Sequence, residues 1–108
     1  MKKTIIITLA AIALTTITAR AADGQTIYTD SCAKCHGDDG SGKTKMGEKL
    51  GARDYTQKAT WNEIPDQRAV QSVLQGLKKD DKTLMRPFSD LSVADAQAVI
   101  TYMRTLAK

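Results

Sequence analysis

Cys32-Ala33-Lys34-Cys35-His36 is the stretch on which the reading of this chain turns. The pattern C-x-x-C-H sets two thiols about one helical turn apart, with an imidazole directly after the second, and it is the spacing at which haem is attached covalently. Each thiol can add to a haem vinyl group. The adjoining histidine is then held against one face of the ring, where its imidazole can bind iron. Two cysteines at this spacing also suit a plain disulfide, a thiol–disulfide exchange site or zinc. The first two need no histidine directly after the motif, and the exchange site wants a strand–helix context that is missing here. Zinc is left a ligand short by one His and two Cys, with Cys35 and His36 adjacent.

Toward the N-terminus, Lys2 and Lys3 precede an uncharged run of Ile, Leu, Ala and Thr from Thr4 to Thr18. Ala19-Arg20-Ala21 then offers small residues three and one before a cut, so residues 1–21 are expected to be a cleaved secretory signal peptide and 22–108 a single domain. The apolar run is shorter than the ~20 residues of a spanning helix, against the competing reading of an uncleaved tether. The precursor has 108 residues and a net charge of +4. Cleavage leaves 87 residues and removes three of its sixteen basic side chains (Lys2, Lys3, Arg20), so thirteen face twelve acidic ones. Two haem propionates would take the balance slightly below zero. The basic character thus belongs mostly to the signal and gives no support to a nucleic-acid role.

Downstream of Ala21 the patterns are helical. Asp23 is placed to cap a helix from Gly24, with Ile27, Tyr28, Cys32 and Cys35 loosely on one side. Residues 37–51 hold five glycines, several lysines and few apolar residues, which predicts a long irregular loop. Loops of this length in a small domain are usually functional or wrapped around something. Thr56 or Thr60 is expected to cap a short turn carrying Trp61 and ending by Pro65. Asp66 then caps a helix with Val70, Val73, Leu74 and Leu77 at helical spacing, followed by a charged loop from Lys78 to Asp90. The last helix is the best defined: Ser92 and Asp95 form a capping box, and Ala96, Val99, Ile100, Met103 and Leu106 make an apolar stripe. No β-alternation and no internal repeat stand out, so the expected class is all-α.

A chain with one Phe and one Trp builds only a small core, and long loops deepen the deficit. Scaffolds of this size usually need a staple, and a covalently held porphyrin supplies a large flat apolar surface.

At this point the sequence resembles the class I cytochrome c family, and in particular its small bacterial monohaem members. The likeness runs across essentially the whole of 22–108. It rests on Gly24 and Tyr28, on Cys32 to Gly37, on Gly40-Ser41-Gly42-Lys43 and Leu50-Gly51, on Met85 beside Pro87 and Phe88, and on Ile100, Tyr102 and Leu106. The motif lies near the start of the domain, whereas the four-helix-bundle cytochromes c-prime carry it near the C-terminus. The resemblance implies three main helices and a short one wrapped with loops around one covalent haem c. One departure stands out: no proline occurs between His36 and Pro65. Family members usually have one soon after the motif, with its carbonyl accepting from the ligating histidine. Another carbonyl of the 43–50 loop is expected to take that part.

Function turns on the other face of the iron. With a single histidine, bis-histidine ligation is excluded. Met85 lies 49 residues after His36, at a position resembling the family's methionine ligand, and is expected to be the second axial ligand. Met46, ten residues from His36, should lie on the histidine side, and Met103 belongs to the last helix's apolar stripe. A thioether raises the potential, and two filled axial sites favour outer-sphere one-electron transfer over activation of a substrate. Trp61 and Arg53 are propionate contacts by resemblance. Tyr28 and Tyr102 are expected where the first and last helices cross, with Gly24 allowing close approach.

The expected protein is thus an exported, periplasmic electron carrier and not an enzyme. It would meet larger redox proteins in transient contacts, without nucleic acid and without stable membrane insertion after cleavage. Lysines around the haem segments would steer it to an acidic partner, although acidic residues are interleaved with them. The rival readings are a haem subunit of a dehydrogenase or oxidase complex, and a five-coordinate ligand-binding or sensor haem.

Overall fold

Asp23 starts the helical part of the chain. Its carboxylate accepts from the Thr26 backbone N–H at 3.2 Å and from the Thr26 hydroxyl at 3.1 Å, as a capping residue should. The computed structural model describes residues 23–108 together with Ala13, so the expected signal peptide, 1–21, lies outside the described residues. Helix α1 (Gly24–Ile27) runs into a π-helical turn (Tyr28–Cys32) and then into α2 (Ala33–His36), as one continuous arm. Gly37 ends the arm at φ 85°, a backbone conformation that suits glycine.

The stretch read as an irregular loop contains a helix, α3 (Lys45–Leu50). Thr44 caps it by accepting from the Gly47 N–H at 2.9 Å, and Gly51 closes it in the left-handed region. Six residues are too few to show a helical period, so the caps alone carried the signal. Helix α4 (Lys58–Asn62) holds Trp61, but neither expected cap is used, because Gln57 stands at the N-cap. Helix α5 (Asp66–Gln75) begins one residue earlier than expected, with Pro65 at the cap and Asp66 in the first turn. A carboxylate there still complements the positive end of the helix. Asp66 also accepts from Arg104 Nε at 2.6 Å.

After Gly76 comes a second correction. Leu77 does not extend α5. It opens β1 (Leu77–Lys79), paired antiparallel with β2 (Lys82–Met85), and is 47 % exposed. The strands are three and four residues long and β1 is wholly exposed, so no alternation betrays them. Asp80 and Asp81 form the turn at φ 51° and 64°. Helix α6 (Val93–Arg104) has the expected capping box: Asp95 N–H donates to Ser92 Oγ at 3.0 Å, and Ser92 N–H donates to Asp95 Oδ2 at 3.1 Å.

The arm and α6 cross where expected. A Cβ at Gly24 would overlap the Ala98 carbonyl, so only glycine allows the approach. Beside it the Tyr28 and Tyr102 rings lie 5.4 Å apart at 54°. Helix α5 packs on the same helix, and the core gathers Ile27, Tyr28, Val73, Phe88, Ala96, Val99, Ile100 and Met103. The architecture is all-α apart from the small hairpin.

Candidate functional site

The arm and α3, the 51–55 segment, α4, α5 and the hairpin surround a cavity of about 850 Å³. That is toward the upper end of the ~300–1,000 Å³ usual for cofactor sites. Cys32, Cys35 and His36 line it, and so does Met85, at the end of β2. Ile64, Ala69, Val73, Phe88, Ile100 and Met103 supply apolar wall. The four residues expected to attach and ligate haem therefore share one cavity, although 49 positions separate His36 from Met85.

Cys32 and Cys35 are free thiols, the first buried and the second half-buried. Burial pushes the Cys32 thiol up to about 11 against the opposing pull of the Arg86 charge, so it is protonated at neutral pH. Burial also lowers the His36 pKa and favours the neutral imidazole, the form that binds metals. Its Nδ1 is buried and has no hydrogen-bond partner among the described residues, so the carbonyl expected from 43–50 is not supplied. The helical course of that segment gives the reason. Thr44 O accepts from Glu48 N–H, and Gly47 O from Ala52 N–H. The nearby Cys35 carbonyl is taken by the Thr44 hydroxyl at 2.6 Å, and that of His36 by Gly42 N–H at 2.7 Å.

Tyr55 was not singled out by the sequence. It lines the cavity with its ring 5.5 Å from that of His36 and 4.8 Å from that of Trp61, and burial raises its phenol pKa. Its place between Arg53 and Trp61, in a chain with only five aromatics, was the available signal. Trp61 and Arg53 both line the cavity, with their polar groups engaged. Trp61 Nε1–H donates to the Tyr55 carbonyl at 3.0 Å, and the Arg104 guanidinium lies 4.6 Å over its ring. Arg53 pairs with Glu63 at 3.3 Å, both side chains more than half exposed, so this pair is weak and easily exchanged. Met46 is also on the cavity, 41 % exposed, and shares a neighbouring hollow with Lys34, Lys45 and Lys49. Met103 is in the core, as expected.

The family model described as cytochrome c matches residues 21–107. The chain belongs to the cytochrome c family. Among solved structures it is similar to "KustC0563 c-type cytochrome", at 30 % identity and a TM-score of 0.70, covering 81 % of this chain and 100 % of that one. A tyrosine-to-phenylalanine mutant of Kustc0563 aligns at 28 % identity and a TM-score of 0.68, covering 79 % of this chain and 99 % of that one. No curated protein matches the sequence.

Membership of the cytochrome c family brings a covalently attached haem c with its iron, in the small monohaem all-α fold of class I. It makes the chain a haem electron carrier in a family generally given to electron transfer, with redox proteins as partners. The residues present fit that group. The cavity joins apolar wall for a flat ring, two free thiols and a half-buried imidazole favoured in its neutral form, with the Met85 thioether side chain also in its lining. Among the described residues no helix is long and apolar enough to cross a membrane.

Proposed function

We propose that this chain is an exported one-electron carrier whose haem is ligated by His36 and Met85. Residues 1–21 are its signal peptide, cut after Ala21, and 22–108 form a single haem domain released into the periplasm. Cys32 and Cys35 hold the haem through thioethers. Each S–H would add across a vinyl group of the haem, with the new C–S bond and the hydrogen on the neighbouring carbon leaving no net oxidation. When bound, the haem supplies one reversible ferric–ferrous step.

The chain's own residues do the rest. His36 is held at the end of a helix with its ring against Tyr55. Met85 would offer its thioether to the haem iron, which would favour the ferrous state and leave no position open to small molecules. Arg53 is the propionate contact, since its exposed pair with Glu63 gives way readily. Trp61, whose N–H already serves Tyr55, contributes mainly packing. Lys34, Lys45 and Lys49 around the exposed Met46 suit a small, transient contact with an acidic face of a larger redox protein.

The observation that carries this reading is the convergence of Cys32, Cys35, His36 and Met85 on one apolar cavity. Its test is the optical spectrum of protein exported in a host that attaches c-type haem. Sharp low-spin bands on reduction and a weak far-red sulfur-to-iron band on oxidation are expected. A high-spin spectrum without that band would remove Met85 from the iron and leave a ligand-binding haem.

A further inference from the structure

Gly76 lies between α5 and the hairpin with φ 73° and ψ −177°, a combination essentially restricted to glycine. A Cβ there would stand 2.5 Å from the Met85 carbonyl oxygen, 2.8 Å from the Pro87 nitrogen and 3.0 Å from the Arg86 carbonyl carbon. All three are backbone atoms, so no rotation of a side chain would make room. The stretch from Met85 to Phe88 therefore runs directly over the bare face of this residue. Both ends of the stretch are tied to the same place. Phe88 N–H donates to Val73 O in α5 at 3.0 Å, and Met85 is the register partner of Leu77, the residue after Gly76.

We infer that Gly76 is a positioning residue for Met85: its missing side chain lets residues 85–87 seat on the end of α5, and the seat keeps the thioether at the cavity. The inference rests on the proposed ligation by His36 and Met85, and it names what holds the second ligand in place. A ligand carried by a hairpin detaches as often as its backbone leaves its seat, because a preorganised site is only as firm as its support. A methyl group on Gly76 lifts residues 85–87 and raises the population of the detached state. An external ligand for the same iron position reads that population directly, since its apparent affinity scales with the fraction of competent protein.

The test is a titration of the oxidised, haem-loaded protein with imidazole, beside its far-red band and its thermal melt. Gly76→Ala is expected to weaken the band and to bind imidazole about tenfold or more tightly than the wild type. Gly40→Ala is the control. Gly40 also has a positive φ, 82°, but its Cβ would meet chiefly the far end of the Leu106 side chain, and it does not line the cavity. This variant should lose thermal stability yet keep the wild-type band and imidazole affinity.

An unchanged band and affinity in Gly76→Ala would overturn the inference, as would an equal tightening in Gly40→Ala. Failure of the ligation itself has a different signature: the wild type lacks the band, and Met85→Ala binds imidazole no more tightly than the wild type. Should Gly76→Ala fail to accumulate, Asp81→Gly acts in the opposite direction. It relieves a positive φ in the hairpin turn and is expected to weaken imidazole binding about threefold. Unchanged or tighter binding there would also overturn the inference.

Discussion

Tyr28 is 1 % exposed, and its hydroxyl donates to the Gly37 carbonyl at 2.5 Å. Gly37 directly follows His36, so this bond fastens the end of the motif to the crossing of the arm with α6. Burial raises the phenol pKa and keeps it a neutral donor throughout the physiological range. Removing the hydroxyl leaves a buried carbonyl without its partner, which costs about 1–3 kcal/mol. Tyr28→Phe in the haem-loaded protein should therefore lower the melting temperature by roughly 4–8 °C per kcal/mol lost. The ring remains against Tyr102, so the fold should survive. A melt indistinguishable from wild type would show that the bond contributes nothing net. That Cys32, Cys35 and His36 would line one site was legible in the sequence, because the attachment motif has a fixed spacing. Tyr55 was not, because its stacking on His36 is created by a turn that brings together residues 19 positions apart.

That turn is the element on which the histidine side of the cavity leans. Asp54 Oδ1 accepts from the Thr56 backbone N–H at 2.9 Å and from the Thr56 hydroxyl at 2.5 Å, closing the chain between the cavity-lining Arg53 and Tyr55 and helix α4. The Thr56 hydroxyl, with its backbone N–H second, holds the Asp54 carboxyl below the usual carboxylate range. A depressed folded-state pKa means that the stabilisation is present above the unfolded value of about 3.9 and is lost as pH falls through the folded one. Wild type and Asp54→Asn should thus differ in melting temperature at pH 6, with the gap narrowing as the pH is lowered through and below about 3.9. A gap of constant size over that range would show that the carboxylate charge plays no part. The same scale explains which elements could be read from the sequence. Helix α6 was legible because twelve residues carry an apolar stripe and both halves of a capping box. Helix α3 and the hairpin were not, since each is too short for its period to repeat recognisably. The strands carry lysines and a leucine outward, and their turn is Asp-Asp where Asn-Gly would have announced it.

At the scale of the whole molecule, the elements pack around a space as much as around one another. Among the described residues twelve hydrophobic side chains are buried, and several of them, including Trp61, Val73, Phe88, Ile100 and Met103, face the cavity with part of their surface. Their burial is complete only with a flat apolar partner between the walls. A domain of this size buries a modest fraction of its surface even when its core is solid. The short helices α3 and α4, at six and five residues, are below the length at which isolated helices persist in water, so their stability comes from what they pack on. A covalently retained haem stays on the chain folded or unfolded but packs only in the folded state, so its packing free energy becomes folding free energy. The chain without haem, made with Cys32→Ser and Cys35→Ser in cells lacking the attachment machinery, should therefore show no cooperative thermal transition. Trp61 fluorescence in that protein should sit at the wavelength of a solvated indole, because the wall that buries it has collapsed. The haem-loaded wild type should melt in a single sharp transition under the same conditions. A cooperative melt of the haem-free chain, with Trp61 still shielded, would mean that α5, α6 and the arm suffice as a core and that the cavity is a preformed socket rather than one its ligand completes.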